Sequence, residues 1–336
     1  MRRSVIATFD VFAREPVLRR AKDGTLLCAF LTCGKDEPAN DNVVALSRSC
    51  DNGVTWSKPE TVFSHTKRGC WITEIFTECD EPFAFVHTYN QYNHYRELHT
   101  HISYLDEKGE RFTEPKTLPG TAGGCSIRQG FRMSNGELLF PLYWQEARLG
   151  FDWGINAAGV SPYWSVENWI FACGAAVSSD EGKSFIRYGY LTSECELWEP
   201  NAVEMEPGHI LMYMRAGKTA HLYLSESFDY GRNWTKPTPT AILNADTKVT
   251  LVKINGTVLL INNFNDKGGF ENRTHLCIYK SRDGKDFEKV VEIENENEPW
   301  FYPHAYVDYA QKELYVAYEN TKEHRLAVYS FAELGV

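Results

Sequence analysis

The chain has 336 residues, of which 43% are hydrophobic and 14% aromatic, enough for one large domain with a sizeable core or for two smaller ones. Its formal net charge is −10 and it has no long basic run, which argues against a nucleic-acid partner. No apolar run reaches the roughly 18 residues that a membrane-spanning helix needs, so no membrane span is predicted.

The N-terminal segment and the cysteines indicate a cellular compartment. The first apolar run is interrupted at Asp10, which makes it too short for a signal peptide. The nine cysteines are scattered along the chain without a CxxC pair, a pattern typical of reduced thiols. We therefore expect a cytoplasmic protein, although removal of a leader would leave the same pattern.

Strand-like segments dominate, and one short hairpin recurs along the chain. It first occurs where the Asp23-Gly24 turn precedes the apolar run 25–30, and equivalent turns follow at 80, 136, 208, 256 and 311. Six turns at a similar spacing predict six four-stranded antiparallel units, hence an all-β, six-bladed β-propeller forming a single domain over 1–336. A two-sheet sandwich is the alternative, but it would not explain six repeats in phase.

The two ends of the chain and its longest repeat carry further expectations. The N-terminal run 5–9 is expected to form the outer strand of the last unit, beside 327–331, and so to close the ring. The longest interval between turns contains a segment rich in Trp and Gly at 145–167, which is predicted to be an inserted loop over one face.

A second motif recurs in phase with the hairpins. Residues 49–56 have the pattern S-x-D-x-G-x-T-W, close copies occupy 178–185 and 227–234, and degenerate copies occupy 103–112 and 281–287. In such a turn the Asp caps backbone N–H groups, the Gly takes a positive φ, and the aromatic residue packs between neighbouring sheets. We assign the motif a structural role.

With these motifs the chain resembles the sialidase superfamily, whose members have six blades and Asp-boxes of this form. The resemblance covers nearly the whole chain. It implies an exo-acting glycoside hydrolase that releases a terminal acidic sugar, such as sialic acid, with retention and through a tyrosine nucleophile. It implies no cofactor and no metal. Asp-boxes identify the superfamily but not the substrate, because other propellers carry them.

Propeller geometry places residues at one offset from each inner turn on a ring around the central axis. Charged and polar residues share two such offsets. The positions before the turns are Arg14, Trp71, Arg128, Glu199, Lys248 and Tyr302, and those after the turns include His87, Tyr143, Arg215, Asn263 and Glu319. The pattern predicts a polar pocket at one mouth of the axis.

The resemblance assigns roles to several of these residues. Arg14, in Arg14-Glu15-Pro16, resembles the first arginine of the family's carboxylate-binding triad, and Arg215 and Arg273 match the second and third. Three guanidinium groups suit a substrate carboxylate because each offers paired, permanently charged donors.

The catalytic residues are assigned in the same way. Tyr302 matches the nucleophile and Glu199 the carboxylate that activates it, since a phenol with a pKa of about 10 needs a nearby base. The general acid is expected on the loop 36–42, where both Asp36 and Glu37 are candidates.

Other residues depart from the family's pattern. Glu15 stands where an apolar residue usually follows the first arginine of the family's triad. The additional residues expected to contact substrate are Arg128, His87, Lys248 and His304. Arg128 has a second interpretation, as an ion-pair partner of Glu74. The departures would suit another 2-keto-3-deoxy sugar acid or a uronate.

Two alternatives to a sialidase-type hydrolase stay open. One is a uronate-directed hydrolase or polysaccharide lyase that uses Tyr and His as base and acid. The other is a carbohydrate-binding propeller without catalysis. The His99-x-His101 pair is interpreted as surface, because no third metal ligand is in reach by sequence.

Overall fold

A computed structural model of the protein describes residues 1–92, 94–106, 110–147, 169–294 and 298–336. Strands in these ranges form six antiparallel sheets, which are the blades of a propeller. The predicted six-bladed fold is confirmed, and the two-sheet sandwich is wrong. In the described ranges, no helix has the length and apolar character required to span a bilayer.

Blades one to five each run outward from the axis in chain order. The first blade holds β2 (Ala13–Arg20), β3 (Leu26–Thr32), β4 (Val43–Ser49) and β5 (Glu60–Phe63). The second holds β6 (Gly69–Phe76), β7 (Phe83–Asn90), β8 (His94–Tyr104) and β9 (Lys116–Thr117). In the third, β10 (Ser126–Ile127) and β11 (Phe131–Arg132) pair with β12 (Leu138–Ala147), followed by β13 (Trp169–Ser178) and β14 (Ile186–Leu191).

The remaining blades continue around the ring. The fourth holds β15 (Leu197–Glu206), β16 (His209–Ala216), β17 (His221–Ser227) and β18 (Thr238–Leu243). The fifth holds β19 (Thr250–Ile254), β20 (Thr257–Asn263), β21 (Leu276–Ser281) and β22 (Glu288–Glu294). The sixth holds β23 (Phe301–Asp308), β24 (Glu313–Glu319), β25 (Glu323–Ser330) and β1 (Arg2–Thr8), and α1 (Phe331–Leu334) follows β25.

The N-terminal strand closes the ring, as predicted. Strand β1 pairs antiparallel with β25, with Arg3 opposite Ala327. The Ser4 hydroxyl then donates a hydrogen bond of 2.5 Å to the Gly53 carbonyl, which belongs to the first blade. The last blade is therefore built from both ends of the chain, so the ring is held together by backbone pairing.

The Asp-box turns have the predicted geometry. In the first box, Asp51 accepts hydrogen bonds from the backbone N–H groups of Val54 and Thr55, and the Ser49 hydroxyl accepts one from Gly53. Gly53 has a φ of 82°, which the glycine allows without a steric penalty. The same bonding recurs around Asp180 and Asp229, outside the pocket face.

Aromatic side chains fill the space between neighbouring blades. Between the second and third blades, Phe85 and Phe140 meet edge to face with their ring centroids 5.0 Å apart. Edge-to-face packing places the positive ring edge on the negative face of its neighbour. As for the predicted insertion at 145–167, residues 145–147 end β12, and the rest lies outside the described residues.

Candidate active site

Three inner strands have the same local distortion near the axis. The register of β2, β15 and β23 shifts at one equivalent place in each strand, just before a proline. At that place Glu15, Glu199 and Tyr302 have positive φ values of 54°, 41° and 53°. A bulge re-aims a side chain, and left-handed backbone in a non-glycine residue is strained and concentrated at functional sites. The three bulges therefore set the side chains of Glu15, Glu199 and Tyr302 in equivalent positions of three blades.

Arg215 joins two of the predicted catalytic residues. Its Nη1 atom lies 3.0 Å from a Glu199 carboxylate oxygen and 3.2 Å from the Tyr302 hydroxyl oxygen. Its Nε atom donates a bond of 2.6 Å to Asp246. Glu199 and Arg215 lie at the open end of one hairpin, formed by β15 and β16, and Tyr302 comes from β23 of another blade.

Two further arginines lie around Tyr302. The guanidinium carbon of Arg14 is 4.7 Å from the centroid of the tyrosine ring, and that of Arg273 is 5.3 Å from it. Within the described residues, Arg14 Nη2 and Arg273 Nε and Nη1 are buried without a hydrogen-bond partner. Buried donors are nearly always bonded, so these three donors are available to an anionic ligand.

Electrostatics separate the roles of Glu199 and Tyr302. Burial acts to raise the pKa of Glu199, but the guanidiniums of Arg215 and Arg128 outweigh it and hold the pKa at about 2. Burial and the Glu199 charge raise the pKa of Tyr302 to about 12, against the opposing effect of Arg215. In the free protein the carboxylate is thus ionised and the phenol is neutral.

The loop expected to carry the general acid places its two candidates differently. Glu37 lies in the pocket, where the Tyr95 hydroxyl donates a bond of 2.5 Å to it and Arg14 Nη1 is 3.7 Å away. Burial raises the pKa of Glu37, although Arg14 opposes the shift. Asp36 is exposed and caps the backbone N–H of Glu37. Of the two candidates, Glu37 is therefore the one in contact with Arg14.

Glu15, the unusual carboxylate after the first arginine, is buried. Arg128 donates two hydrogen bonds to Glu15, at 2.9 and 3.3 Å, and the Trp71 indole donates a third at 2.7 Å. Glu74, the partner considered from the sequence, is instead bound by Arg19 at 2.6 Å. Arg128 therefore lies among the residues around the axis, as predicted, and its ion-pair partner there is Glu15.

Lys248 is also buried. Its Nζ atom is 5.7 Å from the centroid of the Tyr302 ring, and the residue is only 6% exposed. Burial lowers the pKa of Lys248 to about 8, a shift that the charge of Glu15 opposes. The sequence offset thus brought Arg14, Arg128, Glu199, Lys248 and Tyr302 to one place, as predicted.

The structure does not bring the two predicted histidines to this cluster as substrate contacts. Both ring nitrogens of His87 contact threonine hydroxyls, at 2.8 and 3.3 Å, and burial lowers its pKa to about 3. Nδ1 of His304 accepts a bond from the Leu18 N–H, and burial lowers its pKa well below the usual value. Both histidines stand at the expected sequence distance from their hairpin turns, but their imidazoles pack into the surrounding protein as neutral groups.

Three contributing residues were not assigned a role from the sequence. Asp246 holds Arg215, and Glu319 accepts from Arg14 Nε at 3.4 Å, with burial raising the pKa of Glu319 to about 7. Glu319 stands at about the same sequence distance after its turn as Arg215 does, so the repeat already indicated that it lies near the axis. Tyr95 and Asp246 lie on segments outside the repeated hairpins, and the repeat therefore carried no signal for them.

The axis also opens at its other end. A cavity of about 700 Å³ is lined there by residues near the hairpin turns, including Arg20, Arg132 and Asp308. Arg20 pairs with Asp308 at 3.0 Å, and Arg132 pairs with Glu181 at 2.6 Å. Arg20 and Arg132 in this cavity thus have carboxylate partners, whereas Arg273, at the other end of the axis, has none among the described residues.

Among the residues that the structure describes, no three His, Cys, Asp or Glu side chains are grouped so as to hold a metal ion. His99 is exposed, in agreement with its assignment to the surface.

Comparison with known proteins links this geometry to a family. Residues 24–316 match the family described as BNR repeat-like domain. No curated protein sequence matches the chain. A solved structure of a Hadza microbial sialidase, Hz136, superposes with a TM-score of 0.72 and 15% identity over 96% of this chain and 66% of that one.

Two other solved structures are similar in fold. A protein of unknown function from Dyadobacter fermentans superposes with a TM-score of 0.74 and 14% identity, over 97% of each chain. Trypanosoma rangeli sialidase in complex with the inhibitor DANA superposes with a TM-score of 0.69 and 16% identity, over 97% of this chain and 56% of that one. The chain thus spans about two thirds or less of the length of the two sialidases, and identities this low establish the fold alone.

Proposed function

Because the chain belongs to the BNR repeat-like domain family, we propose that it is a sialidase-type glycoside hydrolase acting through the cluster around Tyr302. It releases a terminal acidic sugar with retention of configuration. The observation that carries the proposal is the convergence of Arg14, Arg215 and Arg273 on Tyr302, with donors of two of these arginines left unbonded.

The substrate carboxylate is the anion that these arginines bind. It accepts hydrogen bonds from Arg14 and Arg273, whose free donors have no other partner in the described residues. Anchored in this way, the anomeric carbon lies over the Tyr302 hydroxyl. A neutral nucleophile suits this centre, because an anionic one would be repelled by the adjacent carboxylate.

Substrate binding also explains how Glu199 becomes a base. In the free protein Arg215 holds the pKa of Glu199 at about 2, too low to take a proton from a phenol. The substrate carboxylate competes for Arg215, and the weakened ion pair raises the proton affinity of Glu199. The base is therefore activated only when substrate is present.

The reaction then proceeds in two balanced steps. In the first, the Tyr302 oxygen bonds to the anomeric carbon, Glu199 takes the phenol proton, and Glu37 protonates the departing glycosidic oxygen. In the second, Glu37 takes a proton from water, the water oxygen replaces the tyrosine oxygen, and Glu199 returns the proton to the phenol. Two displacements give retention. A tyrosine nucleophile is a known exception among glycosidases.

The lyase alternative needs a histidine free to act as an acid or base. His87 is bonded through both ring nitrogens to threonines. His304 accepts a backbone hydrogen bond at Nδ1, and its unbonded Nε2 is buried 4.0 Å from a Glu74 oxygen in a residue that is only 1% exposed. Burial favours the neutral form of both. These contacts support hydrolysis over elimination.

The test uses a fluorogenic methylumbelliferyl α-sialoside. We expect the wild-type protein to hydrolyse it and the Tyr302→Phe variant to lose turnover while still binding DANA. Tyr306→Phe is the matched control, because Tyr306 lies on the same strand and lines the opposite mouth. Unchanged turnover in Tyr302→Phe contradicts the nucleophile assignment, and binding of DANA without any wild-type turnover indicates a binding propeller.

A further inference from the structure

Lys248 has the Tyr302 ring as its neighbour, 5.7 Å from Nζ to the ring centroid, but no anionic partner among the described residues. It is 6% exposed, and its Nζ atom forms no hydrogen bond or ion pair within 4.0 Å to any residue that the structure describes. Burying an ammonium without a partner is costly, since it loses its hydration. A ligand that supplies an oxygen to Nζ would remove this cost.

Glu15 is the carboxylate that acts most strongly on Lys248, although the two groups are too far apart for a direct ion pair. Three hydrogen bonds, from Arg128 and Trp71, occupy three of its acceptor positions. An ionised carboxylate offers about four, so one acceptor position remains. An unused acceptor on Glu15 and an unused donor on Lys248 therefore remain.

A hydroxyl group matches this pair. It donates one hydrogen bond and accepts others, so a single sugar hydroxyl can donate to Glu15 and accept from Lys248. We propose that Glu15 and Lys248 together recognise a hydroxyl group on the sugar ring, and that the natural substrate is a sugar acid with a hydroxyl group where sialic acid carries an acylamido group. This inference rests on the proposed function, because it takes the cluster around Tyr302 as the sugar site.

The position on the sugar follows from the anchor. With the carboxyl-bearing carbon held between the arginines and Tyr302, the ring carbon opposite it extends furthest across the pocket. An acylamido group on that carbon would bring a methyl group against the charged groups of Arg128 and Lys248. Displacing water from these charges without replacing its hydrogen bonds weakens binding.

The experiment compares two methylumbelliferyl α-glycosides that differ only at that carbon, one with a hydroxyl and one with an acetamido group. We expect kcat/KM of the wild-type protein to be roughly tenfold or more higher for the hydroxyl substrate, since a site built to bind a hydroxyl discriminates strongly. Lys248→Met should remove this preference by lowering kcat/KM for the hydroxyl substrate. Lys289→Met, on the outer strand of the same blade, should keep it.

Two outcomes overturn the inference: equal kcat/KM for both substrates, or a preference that survives Lys248→Met. If neither glycoside is hydrolysed, the binding of DANA and of its hydroxyl counterpart is compared by tryptophan fluorescence in the same variants. Tighter binding of the hydroxyl compound, lost in Lys248→Met, supports the inference and refutes hydrolysis. Binding of neither compound overturns the inference.

Discussion

The Arg128 guanidinium donates two hydrogen bonds to the Glu15 carboxylate, at 2.9 and 3.3 Å, and so joins the third blade to the first across the axis. Both side chains are buried, at 3% and 2% exposure. A charge removed from water in this way depends on its partner, because no solvent is available to replace it.

We predict that Arg128→Met lowers the free energy of unfolding by about 3–5 kcal/mol, because Glu15 is left as an uncompensated buried charge. Urea denaturation measures the change. Lys285→Met is the control, since its ion pair with Glu226 lies at the surface and contributes less than about 1 kcal/mol. Equal losses in the two variants would contradict a structural role for the buried pair.

Arg273 and Arg215 should respond differently to substitution. Arg273→Met removes two donors that have no partner in the described residues and one hydrogen bond, from Nη2 to the Asp246 carbonyl at 2.9 Å, so we expect a loss of stability of about 1 kcal/mol but roughly tenfold or more weaker binding of DANA. Arg215→Met removes the partner of Glu199 and Asp246, so it should destabilise the fold. Denaturation and inhibitor titration separate the two effects, and a strongly destabilised Arg273→Met would argue that this residue is structural.

Glu37→Gln should lower kcat/KM by roughly a hundredfold or more on substrates with a poor leaving group, because the glycosidic oxygen then departs unprotonated. The acid works in its protonated form and burial raises its pKa, so activity should be lost as the pH rises through this raised value. The Gln variant should lack that alkaline limb in a pH profile. Asp36→Asn is the matched control, and a larger loss in that variant would reverse the assignment.

His87 should contribute to acid sensitivity of the fold. Its pKa is about 3 in the folded protein and 6.5 ordinarily, so its contribution is complete above pH 6.5 and is lost as the pH falls toward 3. Between about pH 7 and about pH 5 this amounts to about 2 kcal/mol. We expect His87→Gln to show a smaller decrease over this interval in urea denaturation. The exposed control His65→Gln should behave like the wild type, and an unchanged decrease in His87→Gln would argue against a buried neutral imidazole.

The repeat allowed much of the fold to be predicted. Turns such as Asp23-Gly24 and the Asp-boxes depend on local backbone preferences, which a few neighbouring residues determine. Because each blade repeats the same signals, the six units and the closure of the ring by the N-terminal strand followed directly. The predicted register of that strand was wrong, since residues 5–8 pair with 323–325 and Ala327 lies opposite Arg3. The insertion at 145–167 was predicted from the longest interval between turns and from composition, and its first three residues instead extend a strand.

The same periodicity brought Arg14, Glu199 and Tyr302 to one end of the axis, since one offset in a ring of similar blades is one place in space. It did not distinguish a side chain that faces the pocket from one that packs into its wall. His87 and His304 share the offset, yet threonine hydroxyls and a backbone N–H engage them.

By itself, the sequence determined the number of blades, the closure of the ring and the residue types gathered at one mouth, because these depend on local signals repeated along the chain. Only the tertiary structure decided which charges pair there. Arg128 meets Glu15 and not Glu74, Arg215 bridges Glu199 and Tyr302, and Lys248 is left without an anionic partner in the described residues. The physical reason is that these partners lie on different blades or bulges, so their distances are determined by how the blades pack around the axis.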